Sequence, residues 1–214
     1  MKKILFALMF LISTLSYADS KCAHLYPNGI VLSVKNTIEL CNTEYVAVYN
    51  TATKGNVFSS QKLNYIDITR KDYFKSDLRI DSTMRAELTD YSASALIYDR
   101  GHMASAEDTS DYISMREADI LSNVTPMLIK LNRGKWSGLE KTVRSLKPVY
   151  ILTGAVYLTD LTIGSNKIPV PSYYLKCAWV VKDSQPICFK ALNDVDTTIY
   201  LVSYSEVKSR LKIQ

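Results

Sequence analysis

The chain has 214 residues, of which 47% are hydrophobic and 22% charged. That composition suits one globular domain with a substantial core and excludes a disordered or low-complexity protein. The net charge of +5 falls to +3 if Lys2 and Lys3 leave with a leader, 24 basic residues then facing 21 acidic ones; so weak a balance assigns no polyanionic partner by itself.

The N-terminus reads as an export signal. Lys2 and Lys3 precede an apolar run over 4–15, and Ser16-Tyr17-Ala18 offers a small-x-small cleavage site. The run is shorter than the ~20 residues of a spanning helix. Cleavage is expected after Ala18, leaving 19–214 as a single domain. Four cysteines remain, and an even count in an exported chain favours disulfides. Of the three connectivities, local pairing of Cys22 with Cys41 and Cys177 with Cys188 is expected. No CxxC spacing supports a zinc site.

Strands are expected over 44–49 and 63–69, which are rich in β-branched and aromatic residues. A brief apolar run, 95–98, leads into an expected turn at Asp99-Arg100-Gly101. A helix over 110–121 and a loop over 122–126 follow. After Asn132, the spacing of Trp136, Leu139, Val143 and Leu146 predicts a helix with one buried stripe, ended by Pro148. A buried strand is expected over 149–157, and a hairpin from 173–181 and 187–191 around residues 182–186. A last strand over 200–204 precedes a short helix opened by Ser205. Strands with one or two longer helices make an α+β domain.

The chain has two histidines. His24, beside Cys22, reads as structural or solvent-facing. His102 follows an arginine suited to phosphate and a glycine that permits an unusual backbone, and it can exchange protons near neutrality. It is the candidate general base, with Asp99 as orienting partner and Arg100 to stabilise charge on a phosphate. Asn132 offers a carbonyl oxygen to magnesium or caps the helix that follows it. Glu140 lies about two helical turns on, and Asn123 is a further polar candidate. From 130 to 147 six basic residues face the single acid Glu140. Within that segment Arg133 and Lys135 are candidate substrate contacts. Asp194 and Asp196 read as a turn. One base, one cation and several oxygen ligands point to metal-assisted phosphodiester hydrolysis.

Asp99-Arg100-Gly101-His102, then Ser122-Asn123-Val124-Thr125-Pro126, then Asn132-Arg133-Gly134-x-Trp136-x-x-Leu139-Glu140 resembles the DNA/RNA non-specific endonucleases of the ββα-metal class. The clear match spans about 97–161. The resemblance implies an antiparallel sheet flanked by helices, with a ββα-metal finger holding one Mg2+, for which Mn2+ can substitute. It implies His102 as general base, Asn132 as metal ligand, Glu140 and Asn123 as supporting residues, Arg100 at the phosphate, and DNA and RNA as substrates. Arg70 falls at the distance of the family's second arginine, about thirty residues before Arg100, with the 71–77 pattern departing from the family's, and is a candidate substrate contact on that ground. Met127 stands where the family often has glutamine, which implies a missing polar loop contact. The alternatives are an inactive nucleic-acid-binding protein that kept the fold, which the intact His102, Asn132 and Glu140 argue against, and a small-nucleotide phosphodiesterase. The sequence names no inhibitor protein.

Overall fold

The computed structural model describes residues 20–64, 71–181 and 184–214. The leader, Arg70 and most of the strand expected over 63–69 lie outside the described residues. In chain order the elements are β1 (Ile38–Cys41), β2 (Tyr45–Asn50), β3 (Gly55–Lys62), α1 (Leu88–Ser92), β4 (Tyr98–His102), α2 (Tyr112–Ala118), β5 (Val124–Leu128) and α3 (Ser137–Ser145). They continue with β6 (Tyr150–Val156), β7 (Thr162–Ile163), β8 (Ile168–Pro169), β9 (Tyr173–Trp179), β10 (Ile187–Leu192), β11 (Ile199–Val202) and α4 (Tyr204–Leu211). Seven strands form one sheet in the order β1-β2-β3-β6-β9-β10-β11, antiparallel throughout. This is the expected α+β class.

The two central strands, β6 and β9, are buried along their whole length, because both faces of the sheet are covered. Strand alternation sorts their side chains. Tyr173, Leu175, Cys177 and Trp179 pack with Val207 and Leu211 of α4. Tyr174 and Ala178 point the other way, into a second core with Trp136, Leu139 and Val143. Both disulfides are present. Cys177 and Cys188 are directly opposed across β9 and β10, and Cys22–Cys41 ties the N-terminal segment to the edge strand β1.

The expected turn at 99–101 and loop at 122–126 are instead largely the two strands of one ribbon. Arg100 pairs with Pro126, Gly101 with Thr125 and His102 with Val124. Proline is tolerated because a two-stranded ribbon leaves an outer edge on which its absent N–H breaks no ladder bond. Glycine is required for a different reason: a Cβ at residue 101 would sit 2.5 Å from the Cβ of Met127. Met127 itself is fully buried, so it is a core residue rather than an exposed loop contact.

Two helices also begin elsewhere than expected. Residues Leu131–Trp136 form a wide, irregular turn broken at Gly134 (φ −111°, ψ −108°), and α3 starts only at Ser137. Asn132 is therefore no helix cap. The last helix starts at Tyr204, where the Ser203 hydroxyl accepts from the Glu206 N–H. α2 is shorter than the expected helix, opening after Asp111, whose carboxylate accepts from the Ser114 N–H. No local signal marks β3, whose Asn56, Ser59, Ser60 and Gln61 are buried. Each finds hydrogen-bond partners in the fold, such as Ser60 Oγ to the Leu25 carbonyl.

Candidate active site

The β4–β5 ribbon and α3 form a ββα unit against the α3 side of the sheet. Arg100 and His102 are two residues apart on β4 and so share a face of the ribbon. The Phe74 ring lies between them, 4.0 Å from the Arg100 guanidinium carbon and 5.3 Å from the His102 ring. His102 Nε2 is 2.7 Å from Asp119 Oδ1. Asp119 is fully buried, and its Oδ2 accepts from the Tyr73 N–H at 2.7 Å. The imidazole is thus fixed by a carboxylate whose own position is fixed.

Asp99 is not that carboxylate. Three residues before His102 on one strand, it faces the opposite side of the ribbon. It accepts from Asn132 Nδ2 at 3.0 Å and from Arg133 Nε and Nη2 at 2.9 and 2.7 Å. Burial raises its carboxyl pKa, but these donors outweigh burial and hold it below the usual range. With its nitrogen bound to Asp99, the Asn132 carboxamide has its oxygen left for the cleft.

Glu140 approaches from α3. Its Oε1 is buried without a hydrogen-bond partner, 3.6 Å from Lys176 Nζ. Burial pushes the carboxyl above the ordinary glutamate range, opposed mainly by Lys176 and reinforced by Asp108. Lys176 is itself buried in β9, donating to Thr153 Oγ1 at 3.0 Å and lying 4.8 Å from the Trp136 ring centroid. One turn beyond Glu140, Arg144 pairs with Asp108 and Glu107.

Arg100, His102, Asn132, Arg133, Trp136 and Glu140 line one polar cleft of about 200 Å³. A larger cavity, about 750 Å³, lies on the α4 side against Trp179 and Tyr204 and contains none of them. Asn132, whose oxygen Asp99 leaves free, and Glu140 both line this cleft. A carboxamide and a carboxylate are hard oxygen donors of the kind that suit a hydrated magnesium-type cation, with Glu140 Oε1 itself turned to Lys176. The other carboxylate-and-thiol grouping among the described residues, Cys22, Glu39 and Cys41, has its sulfurs in a disulfide.

Residues 23–212 match the sequence model of the family described as DNA/RNA non-specific endonuclease. The chain belongs to that family. Human mitochondrial Endonuclease G is 30% identical over 153 residues, 62% of this chain and 51% of that protein. A nuclease of Serratia marcescens is 33% identical over 109 residues, 47% of this chain and 41% of the other. This chain thus spans about half the length of the curated relatives it matches. EndoG, in the solved complex with EndoGI that addresses its inhibition, superimposes with a TM-score of 0.72 at 27% identity, covering 82% of this chain and 84% of that one.

Not every expected site residue of this endonuclease-family chain reaches the cleft. Asn123 is wholly buried and uses its entire carboxamide. Its oxygen accepts from Ser59 Oγ and the Ala104 N–H, and its nitrogen donates to the Ala104 and Ala118 carbonyls. It pins the backbone just after His102, and no atom remains for a substrate. Lys135 is exposed and does not line the cleft. His24 is exposed, and Asp194 closes the expected turn by accepting from the Asp196 and Thr197 N–H groups. Sequence reasoning missed Phe74, Asp119 and Lys176. Of these only Lys176 left a trace, as the one charge in the otherwise apolar segment Tyr173–Trp179.

Proposed function

We propose that this chain is an exported, magnesium-dependent endonuclease that hydrolyses phosphodiester bonds in DNA and RNA and leaves 5′-phosphate ends. The observation that carries the reading is the convergence of His102, Arg100, Asn132 and Glu140 on one cleft, with Asp119 and Asp99 behind them. His102, steadied by Asp119, takes a proton from a water molecule. The water oxygen bonds to phosphorus, the P–O3′ bond breaks, the 3′ oxygen takes a proton from solvent water in the cleft, and His102 then returns its own proton to solvent. Arg100 lies where it can offset the negative charge that grows on the phosphate, and Phe74 keeps its guanidinium in place. Asn132 would hold the magnesium ion, with Glu140 accepting from its waters, and the bound ion supplies positive charge beside the phosphate. Contacts to phosphate and sugar carry no direct base information, in keeping with low sequence specificity.

Export is supported by the apolar leader and by two disulfides in a chain this size. EndoG is solved in complex with the inhibitor EndoGI, which makes a protein inhibitor a further candidate partner of this chain. The decisive experiment is digestion of plasmid DNA and of RNA with Mg2+, with and without EDTA. Wild type is expected to cut both, EDTA to stop it, and His102→Ala to lose roughly 10²–10⁴-fold. Binding without cleavage under every divalent metal would leave only a nucleic-acid-binding protein. Turnover of dinucleotides alone would indicate a small-nucleotide phosphodiesterase.

A further inference from the structure

The two arginines of the catalytic cleft have a second side. Arg100 and Arg133 also line a neighbouring cleft of about 210 Å³, with Leu88, Tyr91, Tyr98 and Asp99. Its chemistry differs from that of the first. Leu88 is 40% exposed, and the segment leading into β4 carries Leu96 at 95% and Ile97 at 56%. Within the cleft itself, Leu88, Tyr91 and Tyr98 set apolar surface directly beside two cations. Asp99 does not make this cleft anionic, because Asn132 and Arg133 occupy its oxygens. Arg133 uses Nε and Nη2 in that pair and keeps Nη1 outside it.

We propose that this second cleft receives the sugar and base of a nucleotide adjacent to the scissile phosphate. The inference rests on the nuclease reading and extends it. The strand backbone crosses between the clefts over Arg100 and Arg133, which meet its phosphates, while the base lies against Tyr98 and Leu88. Continuity with the catalytic cleft through two shared cations is what selects nucleic acid as the occupant. A tyrosine face and a leucine accept any base, since every base has a flat apolar face, so the subsite adds affinity without sequence preference.

Binding of a fluorescein-labelled single-stranded decanucleotide, measured by anisotropy in EDTA, tests this apart from cleavage. Leu88→Ala and Tyr98→Leu are expected to weaken binding three- to tenfold. Ala95→Glu, an exposed position on the same cleft, is expected to weaken it at least tenfold. Ile30→Glu places the same charge on the far cavity and is expected to bind within twofold of wild type. In Mg2+ the cleft variants should raise KM by similar factors and leave kcat within twofold. Unchanged affinity in all three variants, or an equal loss in Ile30→Glu, overturns the subsite. Wild type that binds without cutting, with binding lost in the same three variants, keeps the subsite and removes the nuclease reading.

Discussion

The two faces of the central sheet are built on different principles. On the α4 side, Leu25, Phe58, Leu152, Leu175, Val207 and Leu211 form an apolar core next to both disulfides. Even the backbone there is tuned to packing: a Cβ on Gly154 would lie 2.4 Å from the Leu211 side chain. On the α3 side the same strands bury Lys176, and the ribbon and its supports bury Asp119 and Asn123. Polar groups taken from water destabilise unless paired. Their reward is orientation, since a buried partner with one geometry fixes a functional side chain as an apolar neighbour cannot. One face therefore serves stability, and the other serves the placement of four side chains around a cleft.

That contrast makes separable predictions. The largest effect expected is on the α4 side. Leu175→Ala should lower unfolding free energy by about 3 kcal/mol while leaving kcat per folded molecule near wild type, as read by denaturant melts and active-site-normalised rates. A loss of kcat there would break the division. Asp119→Asn should do the reverse, cutting kcat about a hundredfold or more with KM little changed and the midpoint of melting close to wild type. The amide keeps the shape and can still accept from the Tyr73 N–H, but its NH2 can only donate to His102 Nε2 and so imposes the wrong imidazole tautomer.

Lys176→Met tests the buried charge on the site side. It removes the main influence opposing the burial-raised pKa of Glu140. The carboxyl should rise further, so the active, ionised form needs a higher pH. Activity near neutrality should fall about tenfold and the acid limb of the pH–rate profile should move upward; a uniform loss across pH would mean that Lys176 only packs. Lys176→Arg should recover part of the wild-type profile.

The smallest effect concerns stability in acid. Burial raises the Asp77 carboxyl, but hydrogen bonds from Arg79 and Ser122 more than reverse this and leave it depressed. A depressed carboxylate stabilises fully above its unfolded pKa, near 4, and that contribution fades as pH falls through the lower folded value. Asp77→Asn should cost about 1–2 kcal/mol at neutral pH and flatten that acid-side decline in thermal melts.

Local pattern fixed much of this protein. The stripe Trp136, Leu139, Val143 and Leu146 located α3, although Trp136 precedes the helix and Leu146 lies exposed past its end. The apolar run likewise located β6, because each signal lies within a few residues. The two disulfides followed from an even cysteine count and pairing of chain neighbours. His102, Arg100, Asn132 and Glu140 were named from type and spacing, and the sequence also carried the family resemblance. What it could not contain was pairing at a distance. Asp119 is 17 residues from His102, and nothing in its neighbourhood separates it from Asp99; only strand parity turns Asp99 away. Asn123 reads as a polar site residue until the fold closes around its carboxamide. Residue types and short-range periodicity are properties of the chain, whereas burial and the partner of a carboxylate exist only once distant segments pack together.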